Sequence, residues 1–134
     1  MPARRVVDSW AILALLQDEP SAPLVEQILF DANAGTLELV MSWYNVAETF
    51  YTLAKRQGPD AAEEFLSRLP SLSIRVVLPD EDGIISAARI KAAHPVAFGD
   101  AFAIALAQAE NASVITGDNE IRRCGVVPVH WIGL

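Results

Sequence analysis

Short apolar runs rich in β-branched residues alternate along this chain with longer stretches of helical spacing, and that alternation leaves few folds open. Val6 and Val7 end a first strand, and an apolar helix runs from about Trp10 to Leu16. Pro23 suits the first turn of a second helix, in which Val25, Ile28 and Leu29 recur until Gly35 stops it. TLELVMS alternates Leu37, Leu39 and Met41 with its other residues, as a strand does. Ser42 then caps a helix through Val46, Phe50 and Leu53 that ends at Gly58-Pro59, and Asp60 to Leu69 reads as another. SIRVVLP is a third strand, followed by helices from roughly Asp82 to Ala93 and from about Asp100 to Ala109. ASVITGD is a strand of the fully buried type, and VVPVHWI is a last short one whose Pro128 favours a sheet edge. Strands separated by helices imply one α/β domain over residues 1–134. Its mostly parallel sheet of about five short strands would carry helices on both faces.

Composition narrows the function. With 52% hydrophobic and 20% charged residues the chain can bury a continuous core, and disorder is excluded. A net charge of −7 argues against a broad basic face for nucleic acid. Any such contact has to be local, through bound cations or a few Lys and Arg. Cys124 is the single cysteine, so no intrachain disulfide forms, which fits a reducing cytosol. No run of 18 apolar residues is free of charge, and Asp8 interrupts the apolar stretch after Arg4-Arg5 that a signal peptide would need. The expectation is a cytoplasmic protein with no membrane partner.

Ligands of open α/β sheets bind outside the carboxyl ends of the strands, and two acids fall there, Asp8 and Asp118. Two more, Glu48 and Asp100, sit in otherwise apolar helical stretches. Each has an ordinary explanation. Asp8 and Asp100 read as helix N-caps, Asp118 as part of a Gly-Asp-Asn turn, and Glu48 as the partner of Arg4 or Arg5. Taken together they point elsewhere. Two carboxylates about 5 Å apart at an effective dielectric near 20 repel by roughly 3 kcal/mol. A cluster therefore needs protons, basic partners or a divalent cation. An all-oxygen ligand set suits Mg2+ or Mn2+. His94 and His130 are isolated, which excludes a zinc centre.

The segments VVDSWAILALL, NVAETFYTLAKR, FGDAFAIALA and SVITGDNEIR, in this order, resemble the motifs of PIN-domain ribonucleases. More narrowly, the chain is similar to the VapC-type toxins of toxin–antitoxin pairs over nearly its whole length. The resemblance implies that Asp8, Glu48, Asp100 and Asp118 gather round Mg2+ or Mn2+. Asp8 and Asp100 would be the principal ligands, with Glu48 and Asp118 as further ligands or as orienters of water. Ser9 and Thr116 stand where relatives often carry supporting hydroxyls, whereas Trp10 departs from the small or hydroxyl residue usual there. Glu120 is left open as a partner in the role of Asp118. The implied activity is hydrolysis of RNA by metal-activated water, leaving a 5′-phosphate and a 3′-hydroxyl. The implied partners are a VapB-like antitoxin and a second copy of the chain; apolar residues of the first two helices (Trp10, Leu13, Val25, Leu29) are candidates for the antitoxin groove, although most of them are expected in the core. Alternatives are a PIN nuclease of RNA processing or decay without an antitoxin, and an inactive PIN-like interaction domain. Dinucleotide binding is excluded, since no G-x-G-x-x-G follows the first strand. Lys55, Arg56, Arg89, Lys91, Arg122 and Arg123 read as solvated charge, favourable near helix C-termini, and none is assigned to RNA.

Overall fold

The computed structural model describes residues 2–134. Its strands are β1 (Ala3–Val7), β2 (Leu37–Ser42), β3 (Ile74–Val77), β4 (Ser113–Thr116) and β5 (Val129–Trp131). They are linked through α1 (Ser9–Leu16), α2 (Ala22–Asn33), α3 (Trp43–Gln57), α4 (Pro59–Arg68), α5 (Glu81–Ala93), α6 (Phe98–Glu110) and α7 (Asn119–Cys124), with a 3-10 turn at Leu69–Ser71. The sheet order is β3-β2-β1-β4-β5, and every neighbouring pair is parallel. Parallel neighbours need crossovers, and helices supply them. The expected α/β sheet covered on both faces is thus what forms.

Alternate residues of one strand feed two separate cores. Val7, Leu39, Met41 and Ile115 pack with residues of α1, α2, α3 and α4, whereas Val6 and Val114 pack with residues of α5, α6 and α7. TLELVMS forms the expected strand, and its burial is two-sided, since Leu39 to Ser42 are all buried. Two helix boundaries also shift. The α6 helix begins at Phe98, two residues before Asp100, and α7 occupies what the sequence presented as a turn. Buried Gly99, Ala101, Ala103, Ala105 and Ala107 give α6 a slim surface that lets it lie close against its neighbours. Pro128 directly precedes β5, which is an edge strand as the proline indicated. Among the described residues no helix is long and apolar enough to cross a membrane.

The site follows from this topology. From β1 the chain proceeds outward to β2 and β3, then returns to β4 on the other side of β1. The helix after β1 packs on one face and the helix after β4 on the other. A crevice therefore opens between the carboxyl ends of β1 and β4, at the switch point of the sheet.

Candidate metal centre

Asp8 leaves the end of β1 and is 2% exposed. Its Oδ1 accepts the Ala11 N–H at 2.9 Å, so Asp8 is indeed the N-cap of α1. Across the crevice, Thr116 is buried and its hydroxyl accepts the Asp118 N–H at 2.9 Å. Asp118 caps α7, taking the Glu120 N–H at 2.8 Å. The turn expected there is the entry to a helix.

Asp100 is no cap. That place belongs to Ala97, and Asp100 lies within the first turn of α6. Its Oδ2 is enclosed and has no hydrogen-bond partner. Glu120 reaches over from α7, accepting the Ala97 N–H at 3.2 Å and so capping α6 from outside. One carboxylate oxygen from each of Asp100, Asp118 and Glu120 lies within 4.8 Å of the others. Glu120 is thereby placed beside the acids, a question the sequence left open because nothing in it announced α7.

Glu48 enters from α3. The Ser9 hydroxyl donates to its Oε1 at 2.5 Å, and the Asn45 amide bridges the Gly99 carbonyl at 3.0 Å and Glu48 at 3.4 Å. The ion pair considered for Glu48 does not form: Arg4 binds Glu38 and Glu110, and Arg5 meets the His130 ring. What places Glu48 is a glycine. A Cβ built on Gly99 would sit 2.2 Å from Glu48 Oε2 and 2.6 Å from its Cδ, so the carboxylate rests against bare backbone. The same device explains Trp10. Its indole lies over Gly117, where a Cβ would come within 2.3 Å of the ring. The groove expected from Trp10, Leu13, Val25 and Leu29 is only partly available, since Val25 is buried in the core while Trp10 and Leu13 line an open cleft.

The crevice is electrostatically incomplete. Burial pushes the Asp8 carboxyl up to about 7; Thr116 and the Ala11 N–H oppose this, and the charges of Asp118 and Glu48 add to it. Burial, Asp118, Glu120 and Asp8 together push Asp100 up to about 8. Among the described residues no Lys or Arg forms an ion pair with any of these acids. Carboxylates without counter-charge, one with an oxygen enclosed and unpartnered, fit a hard divalent cation and offer it oxygen donors alone.

A pH dependence follows. Both raised groups bind protons in the folded chain at pH values where the unfolded chain has released them. Their stabilising contribution is complete below the ordinary carboxyl value of 3.8 and is lost as pH rises through about 7 to 8. In EDTA the protein should melt at a lower temperature at mildly alkaline than at mildly acidic pH, and Asp8→Asn should shrink the gap. Thermal melts across that range check it, and a gap unchanged by the substitution would contradict it.

The PIN domain family model matches residues 5–127. A curated protein named Ribonuclease VapC, from Mycolicibacterium smegmatis, is 30% identical over 133 residues, covering 93% of this chain and 99% of that one. Among solved structures, Mycobacterium tuberculosis VapC20, described as a sarcin-ricin loop cleaving toxin, aligns with TM-score 0.75 at 20% identity, over 93% of this chain and 98% of that one. DNA-bound VapBC from Salmonella typhimurium aligns with TM-score 0.73 at 16% identity, over 96% and 97% of the two chains. At such identities the structures speak for the fold.

Proposed function

This chain belongs to the PIN-domain family and is related to ribonuclease VapC, and from that premise we propose that it is a Mg2+- or Mn2+-dependent ribonuclease, the toxin of a toxin–antitoxin pair. The observation that carries the reading is the gathering of acids at the sheet's switch point without a counter-cation, Asp100 Oδ2 enclosed among them. Asp8, Glu48, Asp100 and Asp118 are the proposed ligands, joined by Glu120 at the rim. When bound, a divalent cation supplies Lewis-acid charge to a phosphodiester and makes water acidic enough to attack it. The chain's own part is to hold the carboxylates in place. The Ala11 N–H orients Asp8, Ser9 and Asn45 orient Glu48, Thr116 steadies Asp118, and the start of α7 aligns Asp118 with Glu120. Because Asp8 and Asp100 keep protons near neutrality, cation binding displaces protons and strengthens with rising pH. The VapBC complex among the structural neighbours supports a VapB-like antitoxin as the protein partner; the working form we propose is a homodimer. RNA is the substrate, and one cytoplasmic PIN domain over residues 1–134 carries the activity.

The test is direct. Purified protein should cut RNA in Mg2+ or Mn2+, leave 5′-phosphate ends, and stop in EDTA. Its expression should arrest growth, with relief by the product of an adjacent small gene. Cleavage without arrest would favour an RNA-processing enzyme, and no cleavage by folded protein would leave an interaction domain.

A further inference from the structure

A cleft of about 770 Å³ is lined in part by residues that neighbour two of the acids, Asp8 and Asp118, in the chain. Trp10 follows Asp8 by two residues, while Gly117 and Asn119 flank Asp118. The volume lies in the range of small-ligand sites, roughly 300–1,000 Å³. The lining is unusual for so acidic a chain. It presents two indoles, Trp10 and Trp131, and two guanidinium groups, Arg56 and Arg122.

The arginines are the informative part. Arg4, Arg68 and Arg75 are engaged by carboxylates, whereas Arg56 and Arg122, like Arg5, Arg89 and Arg123, form no ion pair among the described residues. The two of the cleft are each steadied by an amide oxygen instead: Arg56 donates to Gln17 at 2.9 Å and Arg122 to Asn119 at 2.6 Å. Those bonds restrict the side chain and leave its charge uncompensated, which suits capture of an anion. Arg122 also lies 3.8 Å over the Trp131 ring, so a flat cation and a flat aromatic form one stacking surface. Glu19, the acidic side chain of the lining, pairs with neither arginine.

We infer that this cleft takes unpaired nucleotides of the substrate strand next to the bond being cut, with bases stacked on Trp10 and on the Arg122–Trp131 pair and backbone phosphates held by Arg56 and Arg122. The inference rests on the ribonuclease reading and adds to it a strand preference. Bases inside a duplex offer no face to an indole, so the cleft selects single-stranded RNA. It also gives a chain of net charge −7 a local means of holding RNA, through two cations of the cleft that no carboxylate offsets.

The experiment measures binding by fluorescence anisotropy in an Asp100→Asn background, so that cutting does not consume the probes, a short labelled single-stranded RNA and the matching duplex. The single strand should bind more tightly than the duplex. Arg56→Gln with Arg122→Gln should weaken it about tenfold or more and lower the slope of log affinity against log salt by about 1.4, two phosphates at about 0.7 each. Both arginines are exposed, so these variants keep the fold. Trp131→Leu should cost roughly five- to hundredfold, the range for one stacked base. Quenching of tryptophan emission by the single strand should survive Trp43→Phe, since Trp43 lies outside the cleft. Unchanged affinity and salt slope in the double arginine variant overturn the inference. Intact RNA binding with weakened antitoxin binding also overturns it and makes the cleft a protein-docking groove. If the wild-type chain cuts no RNA but binding still depends on both arginines, the cleft stands and the proposed activity falls.

Discussion

Asp100→Asn is expected to lower metal-dependent RNA cleavage by at least about a hundredfold, the scale for losing one electrostatic anchor of a reaction site, and yet to raise the melting temperature of the metal-free protein. Asn keeps the shape and removes the charge. In the folded chain that charge is held at a disadvantage: Oδ2 is enclosed without a partner, and burial together with Asp118, Glu120 and Asp8 pushes the carboxyl up to about 8. Relief of about 1 kcal/mol at mildly alkaline pH raises the melting temperature of a chain this size by about 3–5 °C. Saturating Mn2+ should reverse the order, because only the wild-type chain gains the binding energy. The paired readout separates a ligand from a structural residue. A variant that loses activity and also melts lower in EDTA would show that Asp100 serves the fold.

Gly99→Ala should disable the site while sparing the fold. Gly99 lies in α6 without the positive φ that reserves a position for glycine, and alanine favours a helix interior by about 1 kcal/mol. What occupies the space is the Glu48 carboxylate, with Oε2 at 2.2 Å and Cδ at 2.6 Å from the new methyl group. It is the far end of a flexible side chain and yields before the backbone does. Once displaced, it gives up the 2.5 Å bond from Ser9. Mn2+ affinity and cleavage should fall about ten- to hundredfold, as when the support of a metal ligand is removed, with the melting temperature nearly unchanged. Adding Glu48→Ala should then cost little more, since both substitutions act on one carboxylate. Full additivity between the two would falsify this account of Gly99.

The helix-cap alternatives show how sequence reading and structure diverge. For Asp8 the cap reading holds and does not compete with the proposed ligand role, because the side chain that accepts the Ala11 N–H is buried beside the charges of Asp118 and Glu48. For Asp100 the cap reading fails, because α6 starts two residues earlier and leaves the side chain nothing to cap. Glu48 was legible as anomalous, a charge amid Val46, Ala47, Phe50 and Tyr51, but its partner was not. Arginines four or five residues from the N-terminus were plausible mates until the sheet register aligned Arg4 with Glu38 on the neighbouring strand.

The order of the strands and of every helix but α7, the parallel sheet and the positions of acids at strand ends were determined by the sequence. Periodicity and turn residues act over a few neighbours, and those neighbours are printed side by side. Tertiary structure alone decided that Glu120 stands with Asp100 and Asp118, that Gly99 yields its space to Glu48, and that Arg56 and Arg122 share a cleft with two indoles. These are contacts between segments far apart in the chain. They depend on how helices settle against the sheet, which no local pattern of residues encodes.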